Sequence, residues 1–241
     1  RVFENIDLNL IKEYIDWSPF FQTWDLHGKY PDILKDEVVG KSATDLFKEA
    51  QKMLSKLINE KKIKANGVVG FYPAHSINDD IAIFKDESMD LAFTYYCLRQ
   101  QTKKPIINNK QNPNLCLADF IAPKKESIQD YIGLFAVTSG INADIYEDMF
   151  TKADDDYSNI MVKAITDRLA EAFAEYMHDR VRQDLWGYQT EQLSNEEMIK
   201  EKYQGIRPAP GYPACPEHTV KKDIFELLQA KEIGMELTES M

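Results

Sequence analysis

Two long stripes of apolar residues at helical spacing bracket a middle region whose apolar residues come in short runs. No other feature limits the possible folds as strongly as this change of period. Leu46, Phe47, Ala50, Met53, Leu54, Leu57 and Ile58 recur every three or four residues, as one face of a helix does. Ser42 is placed to cap that helix with Asp45 at the capping-box position, and the lysine-rich residues 60–64 with Asn66-Gly67 end it. A second stripe runs from about Ser158 to about Leu185 through Met161, Ile165, Leu169, Ala172, Phe173, Tyr176 and Met177. Between them, Val68–Tyr72, Ile81–Phe84, Leu91–Tyr96, Cys116–Ile121 and Tyr131–Val137 are β-branched and aromatic runs bounded by turn residues. Strands so close together, with no helices between them, predict an antiparallel or mixed sheet and an α+β class.

Around this frame, residues 7–15 read as a short helix capped by Asp7, and shorter helical pieces fall near 195–203 and 220–230. The aromatic run from Asp16 to Pro31 reads as irregular, residues 101–114 as an exposed loop, and Thr138-Ser139-Gly140 as a strand-ending turn. Neither an internal repeat nor a low-complexity linker interrupts the chain, so one domain over residues 1–241 is expected.

Charge and cysteines narrow the function. Lysine and arginine number 29 against 40 acidic residues, a formal net charge of −11 that repels phosphate backbones, so no nucleic-acid partner is expected. No apolar run reaches the ~20 residues that span a bilayer, so no membrane is expected either. Cys97, Cys116 and Cys215 are odd in number and widely spaced, which fits a reducing cytoplasm better than a disulfide framework. The chain opens on Arg1 without a signal-peptide pattern, and is expected to be a piece of a longer polypeptide.

The segment Gly205 to His218 is the most unusual in the sequence, holding four of the ten prolines: Pro208, Pro210, Pro213 and Pro216. Proline fixes φ and removes an amide donor, so the segment is expected to be a stiff extended strip without a continuous hydrogen-bond ladder. Ala209 and Gly211 let a flat ligand approach the backbone, and Arg207 can fork a carboxylate or phosphate. A rigid connector with Arg207 in a structural ion pair explains the same pattern about equally well. Cys215-x-x-His218 supplies only half of a structural zinc set, so no metal is expected. There is no Gly-x-Ser-x-Gly elbow and no phosphate-binding glycine motif, and Cys215 reads as a small buried thiol. Taken singly, Asp16 reads as a turn carboxylate before Ser18-Pro19, and Glu171 as a solvated charge on the second stripe's polar face.

Taken together these residues resemble a known family. Tyr14-Ile15-Asp16-Trp17-Ser18-Pro19-Phe20-Phe21, Gly28-Lys29-Tyr30-Pro31 and Gly205 through Thr219 are similar to the activation domain of cobalamin-dependent methionine synthase. Arg99-Gln100-Gln101-Thr102, Cys116-Leu117-Ala118-Asp119-Phe120 and the stretch Asp167 to Glu175 match the same family in the same order. The resemblance implies a C-shaped α+β domain around a twisted antiparallel sheet flanked by helices. It also implies a module that binds S-adenosylmethionine and supports reductive methylation of oxidised cobalamin, with an electron from flavodoxin or a flavoprotein reductase. Cobalamin itself would be held by a neighbouring module of the same polypeptide, and the module would not turn over alone.

By the same resemblance, Asp16, Glu171, Arg207, Ala209, Gly211 and Tyr212 fall at ligand-binding positions, with no catalytic residue and no metal ligand among them. Arg207 would hold the methionyl carboxylate and Asp16 the ammonium, with Glu171 a second candidate for the cationic end. The backbone around Ala209 and Gly211 would take the adenine edge. The family continues beyond the stretch matched by Leu237–Ser240, so a further segment carrying a tyrosine pair near the ligand is expected to be missing here. A competing expectation is a docking module for flavodoxin and the cobalamin domain with weak ligand binding. Lys29 is the first guess for a docking cation, with Lys61-Lys62 and Lys103-Lys104 as others.

Overall fold

The first stripe folds as a 21-residue helix, α3 (Gly40–Glu60), burying Ala43, Leu46, Ala50, Leu54 and Leu57. It begins two residues earlier than Ser42, and no side chain caps it. Its C-terminus is the left-handed Lys61, at φ 53°. Asn66-Gly67 does not end the helix; it lies inside a 14-residue strand, β2 (Lys64–Ile77). The reason is a close approach, since a Cβ on Gly67 would meet Met177 and Phe173 at 3.1 Å. The second stripe is α5 (Asp156–Arg180), capped by Asp155 through the Ser158 amide, and it passes into a π-turn over Val181–Leu185.

The computed structural model describes residues 1–107, 110–126, 128–239 and 241. Packing divides the chain into two compact units. One consists of Val2–Gly67 and Val137–Gln204, the other of Arg1, Val68–Ala136 and Gly205–Met241.

The first unit is mainly helical. Besides α3 and α5 it holds α1 (Leu8–Ile11), a 3-10 turn over Lys12–Tyr14, α2 (Ser18–Gln22), α4 (Asp144–Lys152) and α6 (Asn195–Ile199). The Asp16–Pro31 run is thus less irregular than its composition predicts: Pro19 sits in the first turn of α2, where a missing amide costs nothing. Phe20 and Phe21 are fully buried there, and Trp17 and Tyr30 both meet the Phe47 ring of α3, at 5.1 and 5.2 Å between centroids. Truncating either buried phenylalanine to alanine is a change that costs about 3–5 kcal/mol in a packed core.

The five-stranded sheet runs in the order β1 (Val2–Phe3), β2, β3 (Asp80–Phe84), β4 (Leu91–Tyr95), with β7 (Asp130–Ile141) also paired to β2. It is a curled antiparallel sheet flanked by helices, as the α+β reading expects. Asn78-Asp79 forms a two-residue hairpin turn between Ile77 and Asp80, with Asn78 left-handed at φ 57°. The register then pairs Ile81 with Tyr95 and Ile83 with Phe93, placing buried residues of both strands on one core. Thr138-Ser139-Gly140 does not end a strand, because β7 continues to Ile141.

Within the second unit, Val68, Ile81, Ile83, Tyr95, Ile132 and Leu134 of the sheet pack with Cys215, Val220, Ile224 of α7 (Lys221–Leu227) and Leu228. The expected strand over Cys116–Ile121 is instead a 3-10 turn, Leu117–Phe120. Asp119 Oδ2 accepts the Cys116 amide at 2.9 Å, which closes a turn where the ladder would have to run. A two-residue hairpin, β5 (Ile106–Ile107) with β6 (Lys110–Gln111), interrupts the loop expected over 101–114; residues 108 and 109 lie outside the described residues, as does Ser240 of the Leu237–Ser240 match.

Candidate functional site

The proline strip belongs to the second unit and is built as a chain of turns, with no regular secondary structure over residues 206–209. The Tyr212 amide donates to the Ala209 carbonyl at 3.0 Å and the Cys215 amide to the Tyr212 carbonyl at 2.8 Å. Gly211 donates its own amide to the Cys215 carbonyl at 2.8 Å. The strip is fastened from below at two points. Leu117 donates its amide to the Ala214 carbonyl at 3.0 Å, and the Tyr95 hydroxyl shares a hydrogen bond with Cys215 Sγ at 2.6 Å.

These anchors leave the other face of the turn outward. Ala209 and Gly211 are exposed and the Tyr212 ring is 57% exposed, while Arg207 is half-buried. Gly211 sits at φ +110°, a conformation L side chains rarely adopt, and a Cβ there would come within 2.4 Å of the His218 imidazole. Glycine is therefore required at 211 by the turn itself. The sequence reading assigned this glycine to ligand approach and missed the histidine behind it.

Cys215 is buried, as expected, and burial pushes its thiol above the usual range despite the hydrogen bond from Tyr95. Burial also raises the Tyr95 phenol, with Cys215 as the next cause, so both groups stay protonated near neutrality. Such a thiol is a packing group and a hydrogen-bond partner, since only the thiolate is a nucleophile. Among the described residues, no group of three or more His, Cys, Asp or Glu side chains is arranged to hold a metal ion.

Arg99 carries a second constellation in this unit. Its Nη2 donates to Asp79 Oδ1 at 2.6 Å and to Asp119 Oδ1 at 2.7 Å, while Nη1 donates to Asp119 Oδ2 and to the Asn114 carbonyl, both at 2.8 Å. One guanidinium thus ties the Asn78-Asp79 hairpin to the Cys116–Phe120 turn whose Cys116 thiol donates to the Asp79 carbonyl at 3.3 Å. Hydrogen bonds from Arg99 hold both carboxyls below their ordinary value. These motif residues are scaffold for the strip's anchors.

Asp16 and Glu171 lie in the other unit. Asp16 is half-buried just ahead of α2, and its Oδ1 accepts the Ser18 amide at 2.9 Å, the turn its Ser-Pro context predicts. Ser18 in turn accepts the Tyr30 amide on its hydroxyl at 3.2 Å, which joins two segments of the resemblance, Tyr14–Phe21 and Gly28–Pro31. Glu171 is exposed on α5, as its place on the polar face predicts. The structure therefore gathers Arg207, Ala209, Gly211 and Tyr212 on one strip, and Asp16 and Glu171 on separate elements of the helical unit.

Of the suggested docking lysines, Lys29 is exposed, whereas Lys62 pairs with Glu60 at 2.9 Å and lies 5.3 Å from the Tyr146 ring centre. Among the described residues, no helix is long and apolar enough to cross a membrane.

Fold and strip together define an α+β module that presents backbone and a few polar groups from a proline-stiffened loop. The chain belongs to the family described as vitamin B12 dependent methionine synthase, activation domain, whose model matches residues 7–241. It is similar over its whole length to a crystal structure described as the MetH reactivation domain bound to AdoHcy, at 55% identity and a TM-score of 0.90; the match covers 100% of this chain and 74% of that one.

Proposed function

We propose that this chain is the S-adenosylmethionine-binding module of a cobalamin-dependent methionine synthase. As one module over residues 1–241, it would support methylation of oxidised cobalamin with an electron from flavodoxin or a flavoprotein reductase. The observation that carries this reading is the 55% identity, over the full chain, to a reactivation domain that binds AdoHcy. The strip supports it: a stiff, anchored turn with an outward backbone suits a flat adenine edge, and Arg207 supplies the fork for a carboxylate.

In this reading Arg207 holds the methionyl carboxylate, and Asp16 the ammonium, with Glu171 a further candidate at the cationic end. Ala209 and Gly211 offer main chain to the adenine, and Tyr212 covers it. When bound, S-adenosylmethionine would offer the methyl group of its sulfonium to a cobalamin held by a neighbouring module. The residues of this chain bind and orient, and the gain comes from holding the reacting groups in register. They need not move a proton.

Calorimetric titration with S-adenosylmethionine tests the assignment. Arg207→Ala is expected to weaken binding at least about tenfold, the loss typical of a charge-assisted pair. Equal affinity of variant and parent overturns the assignment of Arg207.

A further inference from the structure

Arg182 is the one charged side chain in the helical unit that is wholly buried among the described residues, at 0% exposure. A guanidinium out of water is costly unless its donors are met. It stands in the π-turn Val181–Leu185 that follows α5, where three groups meet its Nη atoms and its face while Nε has no hydrogen-bond partner among the described residues. Nη1 lies 2.7 Å from His178 Nδ1, Nη2 donates to Asp179 Oδ1 at 2.9 Å, and the guanidinium stacks 4.7 Å from the Tyr203 ring centre. A guanidinium only donates, so His178 Nδ1 carries the lone pair and its proton sits on Nε2.

The second carboxylate oxygen of Asp179 is used differently. It accepts the Tyr14 hydroxyl at 2.9 Å, a contact between residues 165 apart in sequence. Tyr14 also meets the Tyr176 ring edge-on at 5.4 Å, so both its ring and its hydroxyl are held to α5. Burial, with the Asp179 hydrogen bond next, pushes the Tyr14 phenol well above its usual range. It therefore remains a donor throughout the physiological range. Two residues later stands Asp16, whose Cα is at most ~7 Å from that of the anchored tyrosine by chain length alone. From the other side the Ser18 amide fixes one Asp16 oxygen.

We propose that Tyr14, Asp179 and Arg182 are positioning residues: a relay from the buried guanidinium through Asp179 to Tyr14 sets where the Asp16 carboxylate stands for the ligand's ammonium. This rests on the assignment of Asp16 to that ammonium. The physical argument is one of use. A buried ion pair is weak evidence for stability, because apolar residues of like volume often serve as well. What it does supply is a single geometry, here delivered to a residue whose task requires one. π-Turns within helices recur where such a geometry is needed.

The test compares S-adenosylmethionine with its analogue in which hydrogen replaces the α-ammonium, both titrated calorimetrically into the protein, three single variants and one double variant. Tyr14→Phe removes one hydroxyl and keeps the ring, and Asp179→Asn keeps the shape of the relay. Asp16→Asn reports on the ammonium contact directly. Tyr14→Phe is expected to weaken S-adenosylmethionine about three- to tenfold while leaving the deaminated analogue within about twofold. In the Asp16→Asn background it is expected to cause no further loss, because the two act through one contact. Equal weakening of both ligands, or no weakening of either, overturns the relay. If Asp16→Asn itself fails to distinguish the ligands, the ammonium assignment falls and the relay with it. If Asp16→Asn distinguishes them and neither Tyr14→Phe nor Asp179→Asn does, the relay alone falls.

Discussion

Cys215 shows how little a residue's type says about its task. By sequence it is one of three widely spaced cysteines; in the structure it is the peg that holds the proline strip to Tyr95. The contact joins residues 120 apart, so no local pattern could announce it. Tyr95→Phe removes the hydroxyl and leaves a buried thiol without that partner. The expected loss of stability is about 1 kcal/mol, read by chemical denaturation, with the ring's packing kept. A loss indistinguishable from zero would mean that the strip is held by packing and by the Ala214 carbonyl alone. Gly211 makes the companion point: its small size was legible, but its φ of +110° and the His218 imidazole beside it were not.

At the scale of elements, the clearest failure and the clearest success have related causes. The run Cys116–Ile121 has strand composition, yet Asp119 folds back on the Cys116 amide and Arg99 holds Asp119 in place. Propensity loses to a charged side chain recruited from a neighbouring strand end. Long elements fared better, because α3 and α5 bury one face over five or more turns and the apolar period survives local exceptions. The Arg99 cluster also carries a pH dependence. Asp79 and Asp119 titrate below their ordinary 3.8 in the folded chain because Arg99 donates to them. A depressed folded value stabilises above the unfolded value, and that contribution is lost as pH falls through the folded one. Arg99→Met is therefore expected to be less stable than the parent at about pH 7, and the gap to narrow at a pH below the ordinary carboxylate value of 3.8. The side chains are partly exposed, so screening by water keeps the effect small. Denaturant midpoints at the two pH values measure it, and a gap that stays constant would assign the loss to packing.

For the molecule as a whole, a formal charge of −11 argues against a nucleic-acid partner but does not select a protein partner. In the proposed function an acidic electron donor would dock on a local cation, and Lys29 is exposed on the loop that follows α2. Association of the protein with reduced flavodoxin is expected to weaken with rising salt. Lys29→Glu is expected to lower the association rate about tenfold at low salt and to flatten that dependence. Surface binding kinetics across ionic strengths would show it. An unchanged rate would move the docking face elsewhere.

Periodicity and turn chemistry by themselves determined the α+β class, both long helices, four of the five main β runs and the exceptional character of the strip from Gly205 to His218. These are short-range facts: a helix face, an alternation or a proline's missing amide is decided within a few residues. The motifs also singled out Arg207 and Asp16 as residues of interest. Only the tertiary structure decided what surrounds the motif residues: Tyr95 under Cys215, His218 beside Gly211, Arg99 between two carboxylates, and Asp179 shared by the buried Arg182 and Tyr14. The Tyr95–Cys215 and Tyr14–Asp179 contacts join residues 120 and 165 apart in sequence. Burial alone makes such contacts strong, by removing the competing water, and burial is a property of the folded chain.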